Sequence, residues 1–376
     1  MRRFALATVS VAAVFSTLTA SGVTAAQPEA FTASLRPALD DLVRAADVPG
    51  AQLVATAAGR ESRINSGVGD LATKAPFPDD AQVRIASNTK TFVATVVLLL
   101  VGEGRVDLDA PVERYLPGVV HGPGGDGQRI TVRNLLQHTS GIPDYLSRLD
   151  LESVDALRRA RPADDLIRVG LDQPAEFEPG ARAEYSNTNY LLAGRLVEAV
   201  TGSPIGLEVT RRILAPLGLT DTYWPLFPVE NVIRGPHPRA YHLFGEALTD
   251  VTDIDPGWGL PDGAMVSTGA DLNRFFMALL QGRVLAPAEL AQMTTTVPGG
   301  DGPLQENVGL GLFHFRTTCG LDVWGHGGSM HGFFVYGAAT ADKAVTLSMN
   351  QLPDVLRAHT EGAGLEQIVD TAICTA

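Results

Sequence analysis

The sequence predicts an α+β (mixed α/β) fold: an antiparallel sheet flanked by the two terminal helices, with a mainly helical lobe inserted into it. Three observations predict this. Short β-type apolar runs occur near the start ("AQLVATAAG", "RINSGVGD") and again near the end ("VGLGLFHFRTTCG", "LDVWGHGGSM", "GFFVYGAATAD", "KAVTLSMNQL"), each bounded by polar turns. Helical periodicity dominates the stretch between them. Helical segments, at about Leu35 to Ala46 and about Asp354 to Ala372, bracket the whole. Strands from both chain ends pack most simply into one sheet, which leaves the middle as a separate lobe.

The first residues stand apart. "MRR" followed by "FALATVSVAAVFSTLTASGV" and the small residues of "TAAQPEA" has the layout of a secretory signal peptide over residues 1–26. The rest, 27–376, reads as one domain, with its α/β part at about 30–85 and 300–376 and the helical lobe at about 86–299. The chain is thus expected to be secreted or held at the cell envelope, and no later segment is apolar for long enough to span a bilayer. A formal charge of −13 argues against nucleic acid or an anionic membrane surface as partner. Cys319 and Cys374, in an exported chain, read as one disulfide. Neither has a ligand-spaced neighbour, so no metal is expected. No cofactor is expected either: "HGPGGDGQ" is glycine-rich but lacks a strand before it and a helix after it. The expected working unit is a monomer.

In chain order, the first helix ends before "VPG" and the two N-terminal runs form a hairpin. "RIASNTKTFVATVVLLLVGEG", Arg84 to Gly104, is a long apolar helix behind a short polar patch. "ITVRNLLQHTSGI" is a strand-like tip entering a helix that stops at Gly141–Pro143. A charged helical stretch covers about Leu151 to Gln173, and an amphipathic helix runs from Asn187 to Gly202. About Pro225 to Asp262 is rich in Pro and Gly and is read as loop. "GADLNRFFMALLQGRVL" and "PAELAQM" are helices again.

The chain has only three lysines, Lys74, Lys90 and Lys343, so arginine is its habitual cation. A lysine in the first turn of an apolar helix therefore asks for a chemical reason. Ser87 and Lys90, spaced i and i+3, share a face. Burial lowers a lysine's pKa toward that of a useful base, which a serine hydroxyl needs to become a nucleophile. The plainer alternative is that Ser87 caps the helix and Lys90 snorkels outward. In "EYSNTNY", Tyr185 and Asn187 can face one cleft, the tyrosine relaying a proton once nearby cations lower its pKa, the asparagine holding a carbonyl or orienting the lysine. In "GHGGSMHGF", His326 ends a strand, and Gly327 and Gly328 let a substrate backbone approach the strand edge. His138 and His331 are read as incidental.

Ser-x-x-Lys, then Tyr-x-Asn, then His-Gly-Gly on a late strand, resembles the penicillin-recognising serine hydrolases. The variants used here resemble the branch holding class C β-lactamases and serine D-alanyl-D-alanine carboxypeptidases, and the chain looks most like the secreted carboxypeptidases. "GRVDLDAPVERYLPG", "ITVRNLLQHTSGIPDY", "EPGARAEYSNTNYLLAGRLVEAVTG" and "HGGSMHGFFVYGAATAD" extend the likeness over nearly the whole mature chain. The resemblance implies a β-lactamase/DD-peptidase-like fold with the site between sheet and lobe. It implies Ser87 as the acylated nucleophile, Lys90 as its proton partner, and Tyr185 as general base and as acid toward the leaving amine. Asn187 would touch the acyl amide, His326 would polarise the site, and the N–H groups of Ser87 and Ser329 would form the oxyanion hole. Trp258 would be a pocket wall.

One position departs from the pattern. Where the carboxypeptidases carry an arginine for the terminal carboxylate, this chain has Phe313, then His314, and its nearest arginine, Arg316, falls on the other strand face. Three readings follow: a carboxypeptidase acting on peptidoglycan stem peptides and bound by β-lactams; a β-lactamase, esterase or D-amino-acid amidase of the same fold; and a catalytically idle binder of cell-wall peptides or β-lactams.

Overall fold

In the computed structural model, residues 26–255, 257–299, 307–353 and 363–376 are described. Residues 1–25 of the expected signal peptide lie outside them. Helix α1 (Ala26–Ala45) leads into the hairpin β1 (Gly50–Ala57) and β2 (Arg60–Gly67). Ala58 and Gly59 join the strands at φ +50° and +70°, the left-handed pair that matches a hairpin's twist. Next come β3 (Gln82–Arg84), a 3₁₀ turn at Ala86–Asn88, and the apolar helix α2 (Thr89–Gly102).

The lobe contains α3 (Val132–Leu136), α4 (Val154–Arg158), α5 (Ala163–Leu171), α6 (Asn187–Thr201), α7 (Ile205–Val209) and α8 (Ala215–Leu217). Three details differ from the sequence reading. Helix α3 ends at Leu136, short of Gly141, because His138 adopts φ +56° and turns the chain out of the helix. The stretch 151–173 is two short helices, since Pro162 fixes extended backbone ahead of α5. Within 225–262 lies a hairpin, β4 (Tyr241–Phe244) with β5 (Ala247–Asp250).

The remaining elements are β6 (Val266–Thr268), α9 (Gly269–Leu280), α10 (Pro287–Met293), β7 (Val297–Pro298), β8 (Asn307–Val308), β9 (Phe313–Arg316), β10 (Asp322–Met330), β11 (Phe333–Ala339), β12 (Lys343–Met349) and α11 (Ala363–Thr375). Residues 354–362, where the last helix was expected to begin, lie outside the described residues. Eight strands form one sheet in the order β2-β1-β12-β11-β10-β9-β8-β7, with the N-terminal hairpin hydrogen-bonded to the last strand. All its pairings are antiparallel.

Alternation along the strands divides the sheet's two faces. Leu53, Val345 and Leu347 pack with Leu39 of α1 and Ile368 of α11, so both terminal helices cover one face. The other face meets α9, from the stretch expected to belong to the lobe. Asn273 donates to the Val54 carbonyl at 3.0 Å and accepts from Thr346 at 2.7 Å. Cys319 and Cys374 are disulfide-bonded, 55 residues apart, and attach α11 to the β9–β10 connection. Among the described residues no helix is long and apolar enough to cross a membrane.

Candidate active site

Strand β3 delivers the chain to the 3₁₀ turn, where Ala86 takes φ +47°, and Ser87 sits on this turn just ahead of α2. The turn is held from several sides. Ile85 donates its N–H to Met265 O at 2.9 Å, and the Asn88 amide reaches Ile85 O and Val335 O on β11. Strand β10 crosses the same turn at Gly328, where an added Cβ would come within 2.2 Å of Ile85 O. A glycine is required for that approach.

Lys90 is fully buried and spends its three N–H donors on Ser87 Oγ (3.0 Å), Asn187 Oδ1 (2.8 Å) and the Asp262 carbonyl (2.6 Å). The outward-pointing alternative for Lys90 is therefore ruled out. Burial lowers its pKa to about 8, against the opposing pull of the Asp262 and Asp144 carboxylates. Those two carboxyls are raised, chiefly by their own burial. Asp144 accepts from the Asn187 amide at 2.9 Å, and Asp262 from the Tyr145 hydroxyl at 2.7 Å. Nothing in the local sequence marked Asp144, Tyr145 or Asp262, although the first two stand in the quoted stretch "GIPDY".

Tyr185 lies over Lys90, with the ammonium 5.0 Å from its ring centre, and its hydroxyl is beside Ser87. The expectation that cations lower its pKa is reversed. Burial raises it well above the usual phenol range, the Asp144 and Asp262 carboxylates add to the rise, and only Ser87 works against it. Tyr185 is accordingly a phenol at neutral pH. His326 Nδ1 donates to the Gly327 carbonyl at 2.5 Å, so its Nε2 carries a lone pair. Burial and Lys90 push its pKa down to about 3. Neither Tyr185 Oη nor His326 Nε2 closes a hydrogen bond with good geometry.

These groups line a cavity of about 430 Å³ between sheet and lobe, which brings together Ser87, Tyr185, Asn187, His326, Gly327, Ser329 and Trp258. Lys90 lies beneath Ser87, and Gly328 faces the turn at Ile85. Strand β10 extends beyond its last pairing with β9 at Gly325–Phe313, and Gly327 and Ser329 reach the cavity past that point. Trp258 is a buried wall, its indole N–H held by the Leu157 carbonyl at 2.7 Å. Phe313 also lines the cavity, 4.8 Å from the His326 ring, while Arg316 is exposed. No arginine lines the cavity among the described residues. His331 lines it too, beside His242.

A serine hydroxyl bonded to a buried lysine, beside a phenol and a free strand edge, is the constellation of an acyl-transferring serine hydrolase. Comparison with known proteins agrees. Residues 35–367 match the Beta-lactamase family, and the chain belongs to it. Penicillin-binding protein 4 of Amycolatopsis lactamdurans is 31% identical over 296 residues, 76% of this chain and 71% of that protein. Among solved structures, a D-stereospecific amidohydrolase from Streptomyces sp. is 37% identical, covering 85% of this chain and 94% of its own, at a TM-score of 0.77. The D-amino acid amidase of Ochrobactrum anthropi SV3, solved with L-phenylalanine amide, is 30% identical, covering 92% and 98%, at 0.79. The chain spans 44% to 45% of the length of the staphylococcal relatives first matched.

Proposed function

We propose that this protein is a serine amidohydrolase that cleaves amides of D-configured residues through an acyl-enzyme on Ser87. The observation that carries this is Phe313: an apolar ring lines the cavity 4.8 Å from a neutral His326, at the position where the resemblance leads one to expect a carboxylate-binding arginine. A leaving group without a carboxylate suits such a pocket better than a free C-terminal D-alanine does. The amidohydrolase and amidase relatives support the same reading.

In the reaction, the neutral fraction of Lys90 takes the Ser87 proton across 3.0 Å as Oγ attacks the carbonyl carbon. The N–H groups of Ser87 and Ser329 hold the developing oxyanion. Tyr185, as a phenol, gives its proton to the leaving nitrogen as the C–N bond breaks. Lys90 hands its proton on, which restores Tyr185. Water then attacks the acyl-enzyme with the same groups in reverse order, and frees Ser87. Asn187 keeps Lys90 aligned and lines the same cavity as Ser87, where the resemblance has it meet the acyl amide.

A carboxypeptidase releasing D-alanine is the second reading, supported by the likeness to Penicillin-binding protein 4. The test measures turnover of D-phenylalanine amide against N-acyl-D-Ala-D-Ala, and intact mass after benzylpenicillin, with Ser87→Ala as control. Amide turnover that is lost in Ser87→Ala is expected. D-alanine release without amide turnover would transfer the assignment to a carboxypeptidase, drug consumption without an adduct to a β-lactamase, and no turnover of any of these to a binder. We propose further that the protein is exported and acts as a monomer; the Cys319–Cys374 disulfide supports an oxidising compartment. Sequencing the N-terminus of the protein from culture medium is expected to find a start near residue 27.

A further inference from the structure

We infer that His138 is the positioning residue for Tyr185, gripping the backbone on both sides of the tyrosine and backing its ring. Glu184 N–H donates to the His138 carbonyl at 2.9 Å, and Ser186 N–H donates to His138 Nδ1 at 3.2 Å. One residue thus holds both neighbours of Tyr185 by hydrogen bonds. Its imidazole stacks on the Tyr185 ring, centroids 4.3 Å apart and planes 27° from parallel, on a tyrosine whose ring also faces Lys90.

The electronic state of the ring suits this task. Nδ1 accepts a backbone N–H, so it has no proton, and the neutral ring carries its hydrogen on Nε2. Burial, Lys90 and His326 all favour that neutral form. A protonated ring would lose the acceptor that holds Ser186. The left-handed backbone at His138, φ +56°, sends its carbonyl and its side chain to the same segment. A helical residue there would continue α3 and present neither.

The rest of the turn shares the load without touching Tyr185. Gly180 N–H reaches the Thr139 carbonyl at 2.7 Å, Glu176 N–H reaches that of Gly141 at 2.9 Å, and Ser140 Oγ donates to Asn189 at 2.6 Å. Segment 138–145 therefore templates segment 176–189, and His138 is the member that sets the tyrosine. The inference needs the hydrolase chemistry of the family, not the amide preference proposed above.

The experiment compares His138→Ala, His138→Asn and Ser140→Ala on two substrates sharing an acyl group. D-phenylalanine p-nitroanilide has a leaving amine that needs a proton, whereas the p-nitrophenyl ester expels a nitrophenolate that needs none. For His138→Ala, kcat on the anilide is expected to fall about 100-fold with KM within about twofold, and kcat/KM on the ester, which reports only the steps up to the acyl-enzyme, less than about fivefold. Asn offers an acceptor where Nδ1 stood and tolerates the left-handed backbone, so His138→Asn is expected to recover about tenfold of the anilide rate. Ser140→Ala is expected to lower Tm while leaving kcat near wild type.

Equal losses on both substrates, no recovery with asparagine, or a Ser140→Ala loss as deep as that of His138→Ala would each overturn the assignment. Should the wild type cleave the ester and not the anilide, the amide reading fails separately. The same comparison is then made with the ethyl ester, whose alkoxide also needs a proton.

Discussion

The two walls of the cavity differ in how far their hydrogen bonds are already committed. On the lobe side, Lys90, Asn187, Asp144, Tyr145 and Asp262 bond to one another, and each ammonium hydrogen of Lys90 has an acceptor within 3.0 Å. On the sheet side, His326 Nε2 has no partner among the described residues, and β10 runs on past its pairing with β9. Between them the Tyr185 hydroxyl, beside Ser87, closes no well-aligned hydrogen bond among the described residues. A committed wall fixes geometry before substrate arrives and costs no reorganisation during reaction, whereas an open wall is where substrate donors and acceptors can be met.

Removing the lysine breaks this contrast most severely. Lys90→Met is expected to lower kcat about 1,000-fold, the scale of losing the proton acceptor of a nucleophile. The buried ammonium also ties stability to pH, because the Lys90 pKa is about 8 when folded against 10.5 when not. Between those values the unfolded chain holds more protons, so wild-type stability rises as pH climbs through that window. Chemical denaturation from pH 7 to 10.5 is expected to show this rise in the wild type and a smaller one in Lys90→Met. The kcat profile should rise toward an inflection near pH 8.

Displacing the open wall comes next. In Gly328→Ala the new methyl would meet Ile85 O at 2.2 Å, so β10 and the Ser87 turn must separate. About 100-fold lower kcat/KM is expected, from misplacement on the order of 1 Å. Amide turnover near the wild-type rate would show that the turn can yield without cost. The smallest effect sharpens the contrast by adding charge. Phe313→Arg sets a cation beside His326 and is expected to shift the preference for carboxylate-ended over amide-ended substrates about tenfold, read as a ratio of kcat/KM values.

What was legible in the sequence was local. Ser87 and Lys90 are three residues apart, Tyr185 and Asn187 two, and the strand runs announced themselves by alternation, so short-range pattern carried them. Phe313 was legible as a departure from a family pattern. Long-range contacts were not. The Asp262 carbonyl reaches Lys90 across 172 residues, and Tyr145 reaches the Asp262 carboxylate across 117. His138 read as incidental because its partners lie 46 and 48 residues away. The direction of the Tyr185 pKa also depends on burial, with the Asp144 and Asp262 carboxylates adding to it, and none of these can be read from neighbours in the chain. The hairpin at Tyr241–Asp250 was hidden by the Pro and Gly around it.

The pairing of β1 with β12 has a temporal consequence. Ala51 lies against Met349 and Ala57 against Lys343, so the sheet waits for a strand made nearly 300 residues after its partner. Contacts this distant in sequence slow folding, and a nascent chain leaves its first hairpin without that neighbour until β12 has been made. Asn88, next to the nucleophile, bonds to Val335 on β11, so the serine's own platform is also incomplete until then. A chain that stopped short of the last strands would hold Ser87 and Lys90 in its sequence without the platform that sets them, so hydrolysis is expected to wait until β11 and β12 have been made.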